Sequence, residues 1–479
     1  MKIYTWALCN ILCYSSPCNS CLEPDDFENT VARDKRDINR THSPFLRKIP
    51  PEIIATISGF ANTDFTLIGR LPAPILLSSV CSDWRRIVVG TPQLWSSITI
   101  NLPSLSHMPK SRMLRLATFI DGWLARSGQL PLNICLCISH EYVWYPTERY
   151  RPIFKILDRY SSRWQTLKVS IPPPFLSFFQ PDSLPLLELL HVASDFKLRG
   201  FGDVVTFPPT PCLNTVEIRP SMLFRSPISI DIVNGIQWDT VTHVSVELIT
   251  TQSCFALLRR IPHLVHCTFY KVKDDFNDSL IESPILSPLT YLLLHHKKSD
   301  PSRLLNNIQL PSLETLVLFH TNIDPVIAFL ERSACSLHTL SLLNWNVQNI
   351  NKLTQLLQFL SPSLTTLAIS RSPSPIRVTK SYLSILTQIY TSQSEAEGND
   401  FFLPHLENFE YREESASTLE SSKLSNLPPP QSWNYPKQAT SISLRSAYIN
   451  EASIINKAIP YNISLILRHL QEDGILTYT

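Results

Sequence analysis

Residues whose chemistry could support metal binding or catalysis fall in a few short clusters. Cys9, Cys13, Cys18 and Cys21 supply four thiols near the start of the chain, the number of ligands a structural zinc ion takes. No histidine accompanies them and no other fold signal surrounds them, so they read as an irregular terminus and not as a zinc site. His263 and His266 stand near Cys267, but neighbours on a strand point to opposite faces, which separates His266 from Cys267. His295 and His296 are separated in the same way. A glycine-rich phosphate loop, a nucleophile elbow and a paired-cysteine framework are all missing from the sequence. The expectation is a chain that is not an enzyme, with no catalytic residue, no metal and no cofactor.

The totals point the same way. With 479 residues, 44% hydrophobic and 17% charged, the chain can bury a large core. Its formal charge of +2 comes from 42 basic and 40 acidic residues, so it lacks the broad positive field that non-specific binding to nucleic acid or an anionic membrane requires. Only 10 glycines stand against 38 prolines, which suits a chain punctuated by X-Pro steps better than one built on phosphate-cradling loops. No apolar run approaches the roughly 18 to 20 residues that span a bilayer. Lys2 followed by Ile3 to Tyr14 imitates the core of a secretory signal, and the sequons at Asn39, Asn277 and Asn462 matter only if the chain is secreted. Cys81, Cys135, Cys137, Cys212, Cys254, Cys267 and Cys335 are scattered, mostly among apolar neighbours. That pattern favours a reducing location, cytoplasmic or nuclear.

The elements that must carry any function begin with helices. Pro50 and Pro51 fix φ at a helix entrance, and Glu52 complements the dipole of the first turn. Ile53, Ile54, Ile57 and Phe60 then form one apolar stripe. A second helical pattern runs from Ile75 to Val89 and stops before Gly90-Thr91-Pro92. Its apolar face holds Leu76, Leu77, Val80, Trp84, Ile87 and Val88, with Asp83 and Arg86 opposite. Short amphipathic helices of this kind need tertiary or partner packing.

Three ordered blocks carry a resemblance: Ile49-Pro50-Pro51-Glu52-Ile53-Ile54, then Val80-Cys81-Ser82-Asp83-Trp84-Arg85-Arg86-Ile87, then Thr91-Pro92-Gln93-Leu94-Trp95. Together they resemble the F-box-like domain abundant in mushroom-forming fungi. Ile49 stands where leucine is commoner, and the stretch from Ala61 to Ala73 is longer than the compact form has between its first helices. The resemblance implies that the segment binds the Skp-type adaptor of a cullin-RING ubiquitin ligase. It assigns Pro50, Ile53, Ile54 and Ile57 from one helix, and Val80, Trp84 and Ile87 from the other, to the adaptor-binding face, by helix-in-groove packing.

Beyond Trp95 a short pattern returns, with an apolar residue, two variable ones, an apolar residue, one variable and another apolar residue. The copies are Trp164, Leu167, Val169; Leu187, Leu190, Val192; Leu213, Val216, Ile218; Val241, Val244, Val246; Leu264, Cys267, Phe269; Leu289, Leu292, Leu294; Leu313, Leu316, Leu318; Leu337, Leu340, Leu342; Leu364, Leu367, Ile369; and Leu406, Phe409, Tyr411. A weak last copy is Ala439, Ile442, Leu444. From Trp164 to Leu364 they recur every 23 to 28 residues, close to the leucine-rich-repeat period of about 20 to 29. Pro185, Pro211, Pro262, Pro311, Pro362 and Pro404 each precede the first apolar position by two residues, where they end one element and open the strand. The asparagine of this repeat class is missing from most copies, Asn322 and Asn344 being near misses. The fold class expected is α/β: a short helical F-box-like domain followed by an irregular leucine-rich-repeat solenoid with a parallel sheet. A compact α/β domain of strand-helix units is the alternative.

Strand alternation sends the residues between the apolar positions outward. In the early copies the outward rows are mostly polar, as at Lys168, His191 and Glu217. Later they include Tyr270, Tyr291, Leu293, Phe319 and Leu343, an apolar and aromatic patch of the kind that marks partner sites, and these residues are the candidate target-binding set.

The domain reading is a poorly ordered segment over 1–42, an F-box-like domain over 43–100 and repeats over 101–479, with loops near 371–400 and 412–437. The functional expectation is a substrate receptor of an SCF-type ligase, with the adaptor and cullin core and an unknown protein substrate as partners, and with no nucleic acid and no membrane. The alternatives are a non-ligase scaffold and a secreted repeat protein.

Overall fold

The structure is a computed structural model that describes residues 64–66, 72–79, 82–102, 110–138, 147–172, 175, 177–193, 205–206, 208–220, 233–234, 236–274, 285–296, 301–319, 322–343, 350–371, 403, 405–413, 446–449 and 476–478. The clustered cysteines, the sequons, Pro50, Ile53, Ile54, Ile57, Val80 and the copy at Ala439, Ile442 and Leu444 lie outside the described residues. So do the two expected loops, except that Arg371 closes one strand and Arg412 and Glu413 close another. The chain is mixed α/β, with extensive parallel sheet and few helices. It divides into two compact units, the first running to Ser226 and including Asp231–Thr240, the second taking Pro227–Ile230 and Val241 onward.

In the first unit β1 (Asp64–Thr66), β2 (Ser97–Leu102), β3 (Leu132–Ile138), β4 (Trp164–Ser170), β5 (Leu189–Ala193) and β6 (Thr215–Arg219) pair in parallel and in chain order. Of the first three, β2 carries a repeat triplet, Trp95, Ile98 and Ile100, that precedes the copies read from the sequence. β2 and β3 also alternate strictly, burying Ile98, Ile100 and Leu102, and Leu132, Ile134, Leu136 and Ile138, the period of a strand with one covered face. β1 falls inside the stretch Ala61 to Ala73, which the sequence presents as a loop, and its partner β2 begins before residue 101. The sheet thus reaches back into the helical segment.

The single helix expected from Ile75 to Val89 is two, α1 (Ala73–Ser78) and α2 (Ser82–Val89). The hydroxyls of Ser78 and Ser79 donate to the carbonyls of Ile75 and Leu76 at 2.8 and 2.6 Å, and such local bonds compete with continuation of a helix. On α1 Ile75 is buried, while Leu76, expected on the shared apolar face, is 47% exposed. The block from Thr91 to Trp95 then fastens α2 to the rest. Trp95 is buried, its Nε1 donates to the Val88 carbonyl at 2.8 Å, and its ring meets Trp123 of α3 (Lys110–Arg126) edge-on at 4.8 Å.

α4 (Arg151–Arg159) buries Ile153, Phe154 and Leu157, and the Phe154 ring packs on Phe175, Phe178 and Phe179 at 6.2, 5.6 and 4.8 Å. Beside this cluster Asp158 Oδ2 accepts the Gln180 N–H at 3.0 Å, while Oδ1 is buried with no hydrogen-bond partner.

In the second unit β7 (His243–Glu247), β8 (His266–Val272), β9 (Tyr291–His296), β10 (Thr315–Phe319), β11 (Thr339–Leu343), β12 (Thr366–Arg371), β13 (Asn408–Glu413), β14 (Ser446–Ile449) and β15 (Leu476–Tyr478) also pair in parallel and in chain order. Among the described residues four helices, α5 (Thr251–Arg260), α6 (Ser302–Leu305), α7 (Ile323–Ser333) and α8 (Ile350–Leu360), lie between these strands. The triplets are the core: Leu289, Leu292 and Leu294, Leu313, Leu316 and Leu318, and Leu337, Leu340 and Leu342 are each at most 2% exposed.

The prolines have a more exact role than ending an element. The carbonyls of Leu184, Thr210, Leu310 and Leu403 accept the N–H groups of Leu187, Leu213, Leu313 and Leu406, three residues on. This places Pro185, Pro211 and Pro311 at the second position of a β-turn, where their fixed φ fits. The residue before each proline is itself buried, a fourth core position absent from the triplet pattern. Strand starts are stitched by shared carbonyls, as where Glu314 accepts from both His338 and Thr339 and His338 from both Thr365 and Thr366.

Burial pushes the Asp158 carboxyl up to about 6, the Gln180 N–H opposes this, and Asp182 adds to it. Because the folded value exceeds the unfolded one, this group strengthens the fold as pH falls through about 6 towards 4 and costs stability above that window. Asp158→Asn, which keeps an acceptor for Gln180 and loses the charge, is expected to raise stability at pH 8 by about 1 kcal/mol, discounted for partial exposure. Thermal melts should show the gain shrinking at pH 5; an equal effect at both pH values would contradict it.

Candidate protein-binding surface

The strand register fixes what faces outward. In the first unit Cys135, Lys168, His191 and Glu217 are successive partners across β3 to β6. His191 Nδ1 lies 2.7 Å from Glu217 Oε2, and Arg219 approaches the same oxygen at 3.9 Å. The hydrogen bond with His191 holds the Glu217 carboxyl below its usual range against the opposing effect of burial, and the charges of His191, Arg219 and Lys168 reinforce it. This is a polar, internally neutralised face.

The second unit presents a different chemistry. Phe319 of β10 is the register partner of His295 on β9 and of Leu343 on β11. The Tyr270 ring of β8 meets Phe319 edge-on at 6.2 Å, and His295 sits between them at 4.3 and 4.9 Å from the two rings. Tyr270, Phe319 and Leu343 are half-buried, while His295 is 9% exposed and forms the floor of the cluster. Sequence alternation marks His295 as outward but does not single it out as a site residue. What it lacks is any sign that a polar ring would be wedged between two larger ones.

A β-bulge builds this arrangement. The register of β8 against β9 shifts between Phe269 and Val272, and Lys271 has φ 56°. Phe269 and Val272 both stay in the core, so two residues, Tyr270 and Lys271, occupy the outward side where alternation allows one. Lys271 Nζ lies 2.7 Å from Glu247 Oε1 and 5.2 Å from the Tyr270 ring centroid, closing one border with a charged pair. The adjacent strand end is also strained, with Leu248 at φ 62° and its N–H bonded to the Tyr270 carbonyl.

The five expected target residues therefore do not form one patch. Tyr270, Phe319 and Leu343 come together at the C-terminal ends of the strands. Tyr291 lies at the other end of β9 from His295, about 13 Å along the strand, and stacks on His266 at 3.8 Å. Leu293, expected to be exposed between them, is 2% exposed. It is flanked in its row by Thr268 and Val317 and on its own strand by Tyr291 and His295, and larger neighbours at i±2 close over a central aliphatic side chain. Cys267 is in the core with its thiol pushed up by burial, whereas His266 is outward.

Of the residues assigned to the adaptor face, Trp84 and Ile87 are half-buried on α2; the others lie outside the described residues. Among the described residues no helix is long and apolar enough to cross a membrane.

Leu293→Ala is expected to cost about 2–5 kcal/mol, as a core truncation does, whereas Leu343→Ala is expected to cost about 1 kcal/mol or less. Chemical denaturation distinguishes the two; equal costs would return Leu293 to the exposed set. No protein-family model matches the chain, and no curated protein matches it.

Proposed function

We propose that the chain is a non-catalytic substrate receptor of an SCF-type cullin-RING ubiquitin ligase. In this reading the N-terminal F-box-like helices hold the Skp-type adaptor, and a degenerate leucine-rich-repeat solenoid presents a protein target. The observation that carries the target-binding half is the cluster of Tyr270, His295, Phe319 and Leu343 on the outward face of a sheet whose inward face is fully packed. Aromatic side chains on a rigid support offer contact area with little ordering cost on binding. The adaptor-binding half rests on the three F-box-like blocks, and the half-buried Trp84 and Ile87 are compatible with a face that a partner completes. Six described cysteines, Cys135, Cys137, Cys212, Cys254, Cys267 and Cys335, are thiols and not disulfides, which supports a reducing compartment, cytoplasmic or nuclear.

Capture of the tagged full-length chain from cells is expected to bring down the adaptor and the cullin. Ile53→Asp combined with Trp84→Ala is expected to reduce both at least tenfold while leaving the repeats folded. A wild-type chain that captures neither, or a double variant that captures both undiminished, would replace the receptor with a scaffold that only joins proteins.

A further inference from the structure

At the N-terminal ends of the second unit's first three strands, His243, His266 and Tyr291 are register partners on β7, β8 and β9. Their rings stack as a ladder: His243 and His266 at 5.5 Å and 19°, His266 and Tyr291 at 3.8 Å and 7°. The receptor reading makes no use of the two imidazoles. The Thr242 hydroxyl lies 2.8 Å from His243 Nδ1. Within the second unit, the remaining described outward neighbours, Ser245 on β7, Thr268 on β8, Leu293 on β9 and Thr315 on β10, carry no charge. Glu247 and Lys271 pair with each other at the far ends of their strands, and His263 is exposed in the turn before β8. A central imidazole held between two rings and largely removed from water gives up hydration when it takes a proton, and no carboxylate of the second unit's described strands faces it to offset that loss.

We propose that His243, His266 and Tyr291 form an acid-released fastener, which clamps the first strands of the second unit and fixes the Tyr291 ring while both imidazoles are neutral, and which opens when either is protonated. Protonation of His266 places a cation against the His243 ring, and a charge on His243 opposes it. Burial and His243 together push His266 down to about 4, and burial lowers His243 as well. Both shifts depress the folded-state value below that of the unfolded chain. The ladder's stability is therefore complete at neutral pH and is lost as pH falls from the unfolded value near 6.5 towards 4. This is a property of the chain alone and stands whether or not the outward face binds a target.

The test uses the full-length chain and a His243→Phe/His266→Phe variant, in which the rings remain and the titration is removed. Hydrogen exchange, corrected for intrinsic rates, is followed at pH 7 and pH 5 over His243–Val272 and Tyr291–His296. The wild-type segments are expected to open about tenfold or more often at pH 5, from the linkage between the shifted and unshifted histidines. The phenylalanine variant is expected to change less than about threefold. Equal pH dependence in the two chains would overturn the proposal. Titration of histidine-labelled wild-type protein decides the matter without a variant: an assigned His266 resonance moving near pH 4, with that of His243 displaced downward from 6.5, supports the fastener, and His266 titrating near 6.5 rejects it.

Discussion

Burial of one apolar triplet per repeat is the interaction on which the second unit depends. Leu292, Leu316, Leu340, Leu367 and Phe409 are register partners across β9 to β13, and each is at most 2% exposed. Each such side chain gives roughly 1.5–3 kcal/mol of transfer free energy, an upper figure because the unfolded chain already buries some of it. No strand repays its own ordering entropy alone; the gain comes from stacking one triplet on the next. A slip of one residue would turn a whole triplet to water and bring its polar neighbours into the core, so the inward face dictates the outward one. The Tyr270, His295, Phe319 and Leu343 cluster exists because leucines on the other side of the same strands cannot move.

That dependence explains how much of the fold is legible in the sequence. The triplets from Trp164 to Phe409 are read directly, because a fixed apolar spacing is the imprint of a strand with one covered face, and the structure buries them as the spacing implies. Ahead of Trp164 the signal thins: Trp95, Ile98 and Ile100 at β2 repeat the triplet but stand far ahead of the next copy, and β3 shows plain alternation, so the regular period does not reach them. At the C-terminal end of α1 the hydroxyls of Ser78 and Ser79 bond backwards to the carbonyls of Ile75 and Leu76, a local competition with the helix that apolar periodicity does not register.

The candidate surface is legible only in part, for a different reason. Alternation gives the direction of each side chain but not the size of what surrounds it, so it turns Leu293 outward without showing that its neighbours cover it. Nor does it reveal a bulge: Lys271 at φ 56° doubles the outward positions of β8 and directs Tyr270 onto its neighbours. A residue with positive φ that is not glycine leaves little trace in composition. Tyr291 shares the outward face with Phe319, yet its partner is His266, because position along the strand separates groups that point the same way.

Apolar packing against a partner is the kind of chemistry that a receptor needs at both of its ends, adaptor and target. If the chain is the receptor proposed above, the outward cluster of the second unit is what selects the protein target. Proximity labelling by the wild-type chain and by Phe319→Glu, with and without proteasome inhibition, tests that claim most directly. A receptor of this kind should show neighbours that accumulate around the wild-type chain under inhibition and are lost with Phe319→Glu, while the adaptor and cullin remain labelled by both. An unchanged set of accumulating neighbours around a folded Phe319→Glu chain would contradict it.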